Sequence, residues 1–443
     1  MIELGINLSI KQGFKIMKTS ILILAAGLGT RMKSQKPKVL QELCQKSMIL
    51  HILEKAYELS DDVSVVLSYQ KELVEKEILS CFPKTKILEQ DLQNYPGTAG
   101  ALKNFKPSKE KVLILCGDMP LVESLSLKQL LEENADLTLA VFYAKDPKNY
   151  GRVLIKENRI EKIIEFKDAN EEEKKINICN AGVYAISSQL LEQILPLINN
   201  NNAAKEYYLT DVVALAKDKI IKPVYVDENE FMGINDKFEL SVAENLMQEK
   251  IKKHWMKQGV IFHLPHSTFI GLDVEFIGEC EVYENVRIEG KSKIVNSIIK
   301  SSSVIENSIV ENSDVGPLAH LRPNCEIKNT HIGNFVECKN AKLNTVKAGH
   351  LSYLGDCEID SGTNIGCGTI TCNYDGVKKH KTIIGKNVFV GSDTQFIAPV
   401  NVENDVIIAA GSSVDCNVSS GSLFINRANR KIIKDYFYKK FKK

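Results

Sequence analysis

Between Ile270 and Val414 an aliphatic or aromatic residue returns at every sixth position, in runs whose frame shifts. Ile270, Phe276, Val282, Ile288 and Ile294 keep the interval without slippage. Ile298, Val304 and Val310 continue it in a shifted frame, then Ile309, Val315, Leu321 and Ile327 in another. Ile359 and Ile365 resume it, and Ile384, Val390, Phe396, Val402, Ile408 and Val414 complete it. Neither the helical period of about 3.6 nor the strand period of about 2 sustains such spacing. A hexapeptide solenoid does, because three hexads make one triangular coil and the periodic side chains stack inside it. Each buried Val or Ile stabilises by roughly 1.5–3 kcal/mol, but one coil cannot hide its own inner face, so the coils must stack. The fold predicted for residues 259–443 is a left-handed parallel β-helix. The run CNYDGVKKHKT, Cys372 to Thr382, breaks the period. It is expected to leave the solenoid as a loop, where function commonly gathers.

The first half reads differently. From Met17 to Lys237 apolar runs alternate with helical stretches: SILILAA, VSVVLSY, KVLILCGD and LTLAVFYA read as buried strands, and MILHILEKAYEL as a helix between the first two. That alternation predicts a mostly parallel, Rossmann-like α/β sheet, with ligands bound at the carboxyl ends of its strands. Residues 238–258 have apolar positions at helical intervals and no Gly or Pro, which predicts a linking helix. Residues 1–16 show neither the apolar core nor the cleavage site of a signal peptide, and are read as an upstream extension.

With 443 residues there is room for two or three domains. A net charge of +1 argues against a polyanionic partner such as nucleic acid. The eleven cysteines form no C-x-x-C pair and no metal-ligand spacing, so reduced thiols and a cytoplasmic setting are expected. No run of about 18 apolar residues exists to cross a membrane, and no membrane insertion is expected.

The richest local signal is ILILAAGLGTRM, Ile21 to Met32, a strand breaking into a glycine turn. Bare backbone N–H groups in such turns can approach phosphate closely. The dinucleotide fingerprint fails, since Met32 stands where its third glycine belongs, and no Gly-Lys-Ser/Thr of a P-loop follows. Arg31 and Lys38 add two cations close behind Gly27, and charged donors to phosphate bind about twice as strongly as neutral ones. The turn CGDMP, Cys116 to Pro120, also follows a strand and is expected to face the same cleft.

The pair LAAGLGTRM…KPKVL and the later KAGHLSYLGD resemble the bacterial family of bifunctional N-acetylglucosamine-1-phosphate uridyltransferases and glucosamine-1-phosphate N-acetyltransferases. GTAGA, GDMPL, YGRV, EFKDA, NAGVYA, EYYLTD, GIND, LRPN, GTITCNYDG and FVGSDTQ extend the resemblance from about Lys18 to the end. It implies acetyl-CoA-dependent acetylation of glucosamine 1-phosphate. It also implies Mg²⁺-dependent uridylyl transfer from UTP to N-acetylglucosamine 1-phosphate, giving UDP-N-acetylglucosamine for peptidoglycan and lipopolysaccharide precursors.

For uridylyl transfer the resemblance implies Leu24, Ala25, Ala26 and Gly27 as the nucleotide loop and Arg31 and Lys38 as phosphate-handling cations. Gln90, Gly97 and Thr98 match uracil contacts, with Gln93 an alternative to Gln90; Gly151, Glu165 and Asn180 match sugar contacts. Asp118 and Asn235 match the Mg²⁺ ligands, hard oxygen donors suited to that ion. For acetyl transfer His350 matches the general base, and an imidazole with an ordinary pKa near 6.5 suits deprotonation of an amine. Arg322, Lys339, Tyr353 and Asn364 match the glucosamine 1-phosphate site. Cys367, Asn373, Tyr374, Ser392, Ala410 and Arg427 match the acetyl-CoA site. A homotrimer built through the β-helix is implied as well. Cys367 stands where the family commonly has Ala, and His320 where Arg is frequent. Two rival readings are a nucleotidyltransferase with a regulatory solenoid and a solenoid that only trimerises. The His350, Asn373 and Tyr374 constellation weighs against the first, and CoA binding by the fragment from about Gly259 would separate the two.

Overall fold

A computed structural model describes residues 18–427 and 431–441 of the chain; the expected extension at 1–16 lies outside them. The chain divides into two compact units, with the division between Met247 and Gln248.

The first unit carries a nine-stranded sheet. Its elements run β1 (Thr19–Leu24), α1 (Met48–Leu59), β2 (Asp62–Leu67), α2 (Lys71–Cys81), β3 (Lys86–Glu89), β4 (Lys111–Cys116) and α3 (Ser124–Glu132). There follow β5 (Leu137–Tyr143), β6 (Arg152–Lys156), β7 (Arg159–Ile164), β8 (Ile178–Ser187), α4 (Ser188–Ile194), α5 (Asp211–Leu215), β9 (Ile221–Tyr225) and the start of α6 (Lys237–Lys257), whose residues from Gln248 on belong to the second unit. The strand order is β9-β5-β8-β4-β1-β2-β3, with the β6–β7 hairpin attached to β8. β1 lies between β2 and β4, parallel to both. Ile21, Leu22 and Ile23 are fully buried because both sheet faces are covered, which is why the strand reads as an unbroken apolar run. β8 is antiparallel to β4 and β5, so the sheet is mostly, not wholly, parallel. The chain proceeds from β1 to β2 on one side, then returns to β4 on the other. This reversal, at the carboxyl ends of β1 and β4, is the kind of topological switch at which α/β sheets bind ligands.

Among the described residues the second unit is a stack of 23 strands, all but two of them two or three residues long, that pair in parallel from coil to coil in three ladders and make a parallel β-helix. Its interior is the row of periodic side chains: Ile270, Val282, Ile288, Ile294, Val315, Leu321, Ile327, Val390, Phe396, Val402, Ile408 and Val414 are fully buried. In the shifted frame the period misleads. Ile298 and Ile309 face outward, 38% and 39% exposed, and Val304 is half-buried, whereas Ile299, Ile305 and Val310 point inward with no exposure. The reason is coil length. Ile270 registers with Ile288 and Phe276 with Ile294, but Ile288 registers with Ile305 and Ile294 with Val310. The later coils are therefore one or two residues shorter, and the loss falls in the turns. Asn296, Asn307, Asn312 and Asn329 take positive φ there, a conformation Asn tolerates better than most residues. Side-chain bonds from Asn296 to Asn312 (3.4 Å) and Asn312 to Asn329 (3.4 Å) tie successive turns.

An open solenoid end would leave strand groups unpaired. The last turns of α6 close it. The Gln248 amide donates to the Ile270 carbonyl (2.8 Å) and accepts from its N–H (2.9 Å), as a neighbouring strand would. Lys252 donates to the carbonyls of Pro265 (2.5 Å) and Thr268 (2.9 Å), and the Trp255 ring meets Phe276 edge-on.

Two candidate active sites

In the α/β unit, Leu24 ends β1, Ala25 donates its N–H to the Val66 carbonyl (2.9 Å), and Ala26 is buried. Gly27 follows into the open: a Cβ there would meet nothing within 4 Å, leaving its backbone accessible. Gly29 is the constrained glycine. Its φ is +61°, and a Cβ would lie 2.6 Å from Lys38 Cβ, so glycine lets the loop close over Lys38. The Lys38 ammonium donates to Asp118 Oδ2 (2.5 Å) and Asn235 Oδ1 (2.8 Å). Arg31 Nη2 also donates to Asn235 Oδ1, at 2.8 Å. Thus the structure brings Arg31, Lys38, Asp118 and Asn235 together from loops after β1, after β4 and before α6.

Asn235 is oriented by its own surroundings. Its N–H donates to Glu239 Oε2 (2.7 Å), its side-chain amide donates to the Gly233 carbonyl (3.1 Å), and the Glu239 N–H donates to Asp236 Oδ1 (2.9 Å). The two Glu239 bonds start α6 much as a capping box starts a helix, and the side-chain bond to Gly233 turns Asn235 Oδ1 toward the cations. Asp118 Oδ2 and Asn235 Oδ1 are hard oxygens reached by one and the same nitrogen. That donor set fits a divalent cation such as Mg²⁺ or Mn²⁺, which commonly takes one or two protein oxygens and fills the rest with water and phosphate. Among the described residues no group of three or more His, Cys, Asp or Glu side chains gathers to hold a metal. Beside this pair, burial pushes the Cys116 thiol up to about 12, so it stays protonated.

Gly151, Glu165 and Asn180 also converge. A Cβ on Gly151 would stand 3.6 Å from Glu165 Oε1 and 3.7 Å from the Asn180 Cβ. Asn180 Nδ2 donates to the Tyr184 hydroxyl (2.9 Å), and Thr210 donates to Glu165 (3.1 Å). Burial raises the Glu165 pKa against that bond, with Asp168, Asp211 and Glu206 adding to the rise. Gln90 is buried and its side-chain amide donates to the carbonyls of Tyr95 (2.9 Å) and Gly97 (2.8 Å), bracing the loop that exposes Thr98. Gln93 lies exposed on the turn before it.

On the solenoid the register lays residues in rows. Lys347 pairs with Asn364, Asn364 with Phe389 and Phe389 with Ile407. Three residues further along each coil stand His350, Cys367, Ser392 and Ala410, one above another and all exposed. Glycines keep this edge smooth: a Cβ on Gly391 would sit 2.4 Å from the Ala410 nitrogen, and one on Gly366 2.6 Å from the Ser392 nitrogen. Arg427 joins the row by donating from Nε to the Ala410 carbonyl (3.0 Å).

A second group lies on the adjoining face. The Tyr353 ring crosses Gly355, whose Cβ would meet the phenol oxygen at 2.5 Å, and Asn373 Nδ2 lies 3.5 Å from that oxygen. Arg322 donates to Glu337 (3.1 Å). The Lys339 pKa is lowered by a contact with Lys379 and by the charge of Arg322, so three cations share one place. Asp356 ties the ejected loop down: it accepts from Asn340 (2.7 Å) and Asn373 (2.5 Å), with Lys379 Nζ at 3.9 Å. Within the loop Tyr374 bridges to Lys379, and Asp375 accepts from the backbone of Val377 and Lys378 and from His380 (2.7 Å). Asp356 and Lys379 were not singled out from the sequence. Only the loop's Lys-rich composition pointed toward one of them.

Residues 21–182 match the model of the MobA-like NTP transferase domain. Among solved structures, the inositol-1-phosphate CTP transferase from T. maritima is 21% identical over 54% of this chain and 98% of its own, with a TM-score of 0.42, a likeness too distant to bear on function. Whole-length relatives are much nearer. The bifunctional protein GlmU of Campylobacter jejuni subsp. jejuni serotype O:6 (strain 81116 / NCTC 11828) is 82% identical over 96% of this chain and 100% of the relative. Those of Campylobacter lari (strain RM2100 / D67 / ATCC BAA-1060) and Campylobacter concisus (strain 13826) are 73% and 60% identical, each over 96% of this chain. A likeness of that degree over nearly the whole chain has one meaning: the chain belongs to the family of bifunctional GlmU proteins, enzymes that join a nucleotidyltransferase to an acyltransferase.

Proposed function

We propose that the chain acetylates glucosamine 1-phosphate from acetyl-CoA on the solenoid and then, in the α/β unit, joins the product to UTP to make UDP-N-acetylglucosamine and pyrophosphate. The observation that carries the second step is the convergence of Arg31, Lys38, Asp118 and Asn235 at the carboxyl ends of β1 and β4. Attack of one phosphate oxygen on another phosphate crowds negative charge, and catalysis consists mainly of positioning and charge stabilisation. The exposed backbone at Gly27 receives the nucleotide's phosphates, and Arg31 and Lys38 supply positive charge to them. Gln90 shapes the loop of Gly97 and Thr98 for the base, while Gly151, Glu165 and Asn180 hold the sugar. Asp118 and Asn235 would hold Mg²⁺, which when bound neutralises phosphate oxygens.

For acetyl transfer, the exposed His350 imidazole takes the proton of the sugar amine as it attacks the thioester carbonyl, and CoA leaves as thiolate. Arg322 and Lys339 meet the sugar's phosphate, and Tyr353 and Asn364 its ring. The row of Cys367, Ser392, Ala410 and Arg427 offers a smooth edge along which a long CoA arm can lie, with Asn373 and Tyr374 beside the reacting groups. The protein is further proposed to act as a homotrimer through the solenoid, where exposed Ile298, Ile309, Phe389, Ile407 and Leu423 would be covered. Supplying glucosamine 1-phosphate, acetyl-CoA, UTP and Mg²⁺ to the whole chain should yield UDP-N-acetylglucosamine. Sedimentation should give a trimer, and an active monomer at micromolar concentration would refute that part of the reading.

A further inference from the structure

Asp118 Oδ2 and Asn235 Oδ1 are the two oxygens best suited to a divalent ion, and both are bonded to Lys38 Nζ, at 2.5 and 2.8 Å. An ammonium makes such bonds by pointing protons at the lone pairs that a metal ion would use. A dication on the same two oxygens would also sit within contact range of a positive charge in a half-buried place, where screening by water is weak. The two cations therefore exclude one another. We infer that Lys38 holds the metal pair closed against a free divalent ion and releases it only when an anion, the triphosphate of the nucleotide, draws the ammonium away.

The surroundings fit a side chain that swings while its backbone stays. Val39 and Leu40, next in chain, are buried, the Gln41 N–H donates to the Lys38 carbonyl (3.0 Å), and Gly29 packs against Lys38 Cβ. The stem is fixed at its base, and three further rotatable bonds carry the charge. The Asn235 side chain has partners besides Lys38: its amide donates to the Gly233 carbonyl and its Oδ1 also accepts from Arg31 Nη2. The pair is thus a preset acceptor for which lysine and metal compete. The consequence is ordered loading: metal enters with, not before, the phosphates, and Lys38 passes from the carboxylate to the phosphate chain.

This inference rests on the reading of Asp118 and Asn235 as the metal pair, and both can be tested by Mn²⁺ binding to the full chain without nucleotide, followed by electron paramagnetic resonance. Lys38→Met keeps most of the stem and removes the charge; it should bind Mn²⁺ at least tenfold more tightly than the native chain. Lys38→Arg keeps the charge and should not tighten binding. Asp118→Asn should abolish that gain in the Lys38→Met background. Thermal unfolding of each variant establishes that the fold is intact. If Asp118→Asn weakens binding while Lys38→Met leaves it unchanged or weaker, the competition is refuted and the metal pair stands. If Asp118→Asn leaves the Mn²⁺ binding of Lys38→Met unchanged, the metal pair itself is wrong and the inference goes with it.

Discussion

In the α/β unit, Arg31 and Asn235 are bonded across 204 residues of chain, and Lys38 and Asp118 across 80. In the solenoid, His350, Cys367, Ser392 and Ala410 stand in a row because each is three residues beyond a paired strand position on successive coils. The first arrangement depends on loops closing at one end of a sheet. The second follows from a repeat that returns the chain to the same edge with each turn. A site of the first kind is fragile to changes in any of its loops. One of the second kind is fragile to the length of a coil, since dropping a residue in the wrong place rotates every later side chain off its row.

The sharpest test of this contrast separates the two chemistries. His350→Ala should lower acetyl transfer by about 10²–10⁴-fold, the usual contribution of a general base, and leave uridylyl transfer near native. Arg31→Ala should do the reverse, lowering kcat more than it raises KM for UTP if the charge acts mainly in the transition state. Steady-state kinetics of both reactions on both variants measures this. Loss of both activities in either variant would mean that one half does not keep its site without the other.

How much of each half the sequence disclosed follows from the same contrast. A period of six is a direct image of the coil, so the β-helix and most of its inward residues were legible without a structure. The errors came where coils shorten: the alternating choice between Ile298 and Ile299 cannot be made from hydrophobicity, since both are isoleucine, and is settled by the turn at Asn296. In the first half the strands were legible as apolar runs, but β8 running antiparallel between β4 and β5 was not, because burial on both faces erases the alternation that would mark it. The candidate residues there came from motif resemblance. What no motif conveyed was the contact geometry: Gly29 closing on Lys38, and the Gly233 carbonyl turning the Asn235 side chain.

The frame of the shortened coils can be broken directly. Ile299 has no exposure, and Ile299→Ala should destabilise the solenoid by about 2–5 kcal/mol through lost transfer energy and a cavity. Ile298→Ala, one residue away and 38% exposed, should cost within about 0.5 kcal/mol in the isolated chain. Denaturant melts of the two variants compare them. Equal costs would return the frame to the one read from the sequence, or show that Ile298 is buried by a second copy.

Acid should distinguish the halves as well. His51 is the one buried histidine among the described residues, and it lies in α1 with Nε2 3.0 Å from the Leu43 carbonyl. Burial outweighs that bond and lowers its pKa from 6.5 to about 4. Between those values the unfolded chain binds a proton that the folded one refuses, so stability falls as the pH falls. The contribution is full above pH 6.5 and diminishes toward pH 4, by about 2 to 3 kcal/mol between pH 7 and 4.5. Unfolding of the α/β unit followed by denaturant at the two pH values should show the loss, and His51→Gln should flatten it. A slope unaltered by that substitution would assign the acid sensitivity to carboxylates instead.

The smallest effect tests the one place where the solenoid departs from its own rule. The loop after Cys372 lies outside the repeat, so register cannot position Asn373 and Lys379; side chains must. Asp356 is the means, accepting from Asn340 and Asn373 and facing Lys379, with its own side chain only 12% exposed. Asp356→Asn keeps the shape and one accepting oxygen but removes the charge, and charge-assisted hydrogen bonds are worth about 1.5–3 kcal/mol each. Part of that is recovered by the remaining oxygen, so acetyl transfer should fall by roughly tenfold in kcat/KM, about 1.4 kcal/mol. The loss should appear chiefly in the KM for glucosamine 1-phosphate, because Lys379 shares its place with Lys339 and Arg322. Uridylyl transfer should hold, since Asp356 and the loop belong to the solenoid. A fall in kcat with KM unchanged would instead make Asp356 part of the acyl-transfer chemistry. No change at all would mean that the loop's own bonds, Asp375 to Val377, Lys378 and His380, suffice to hold it.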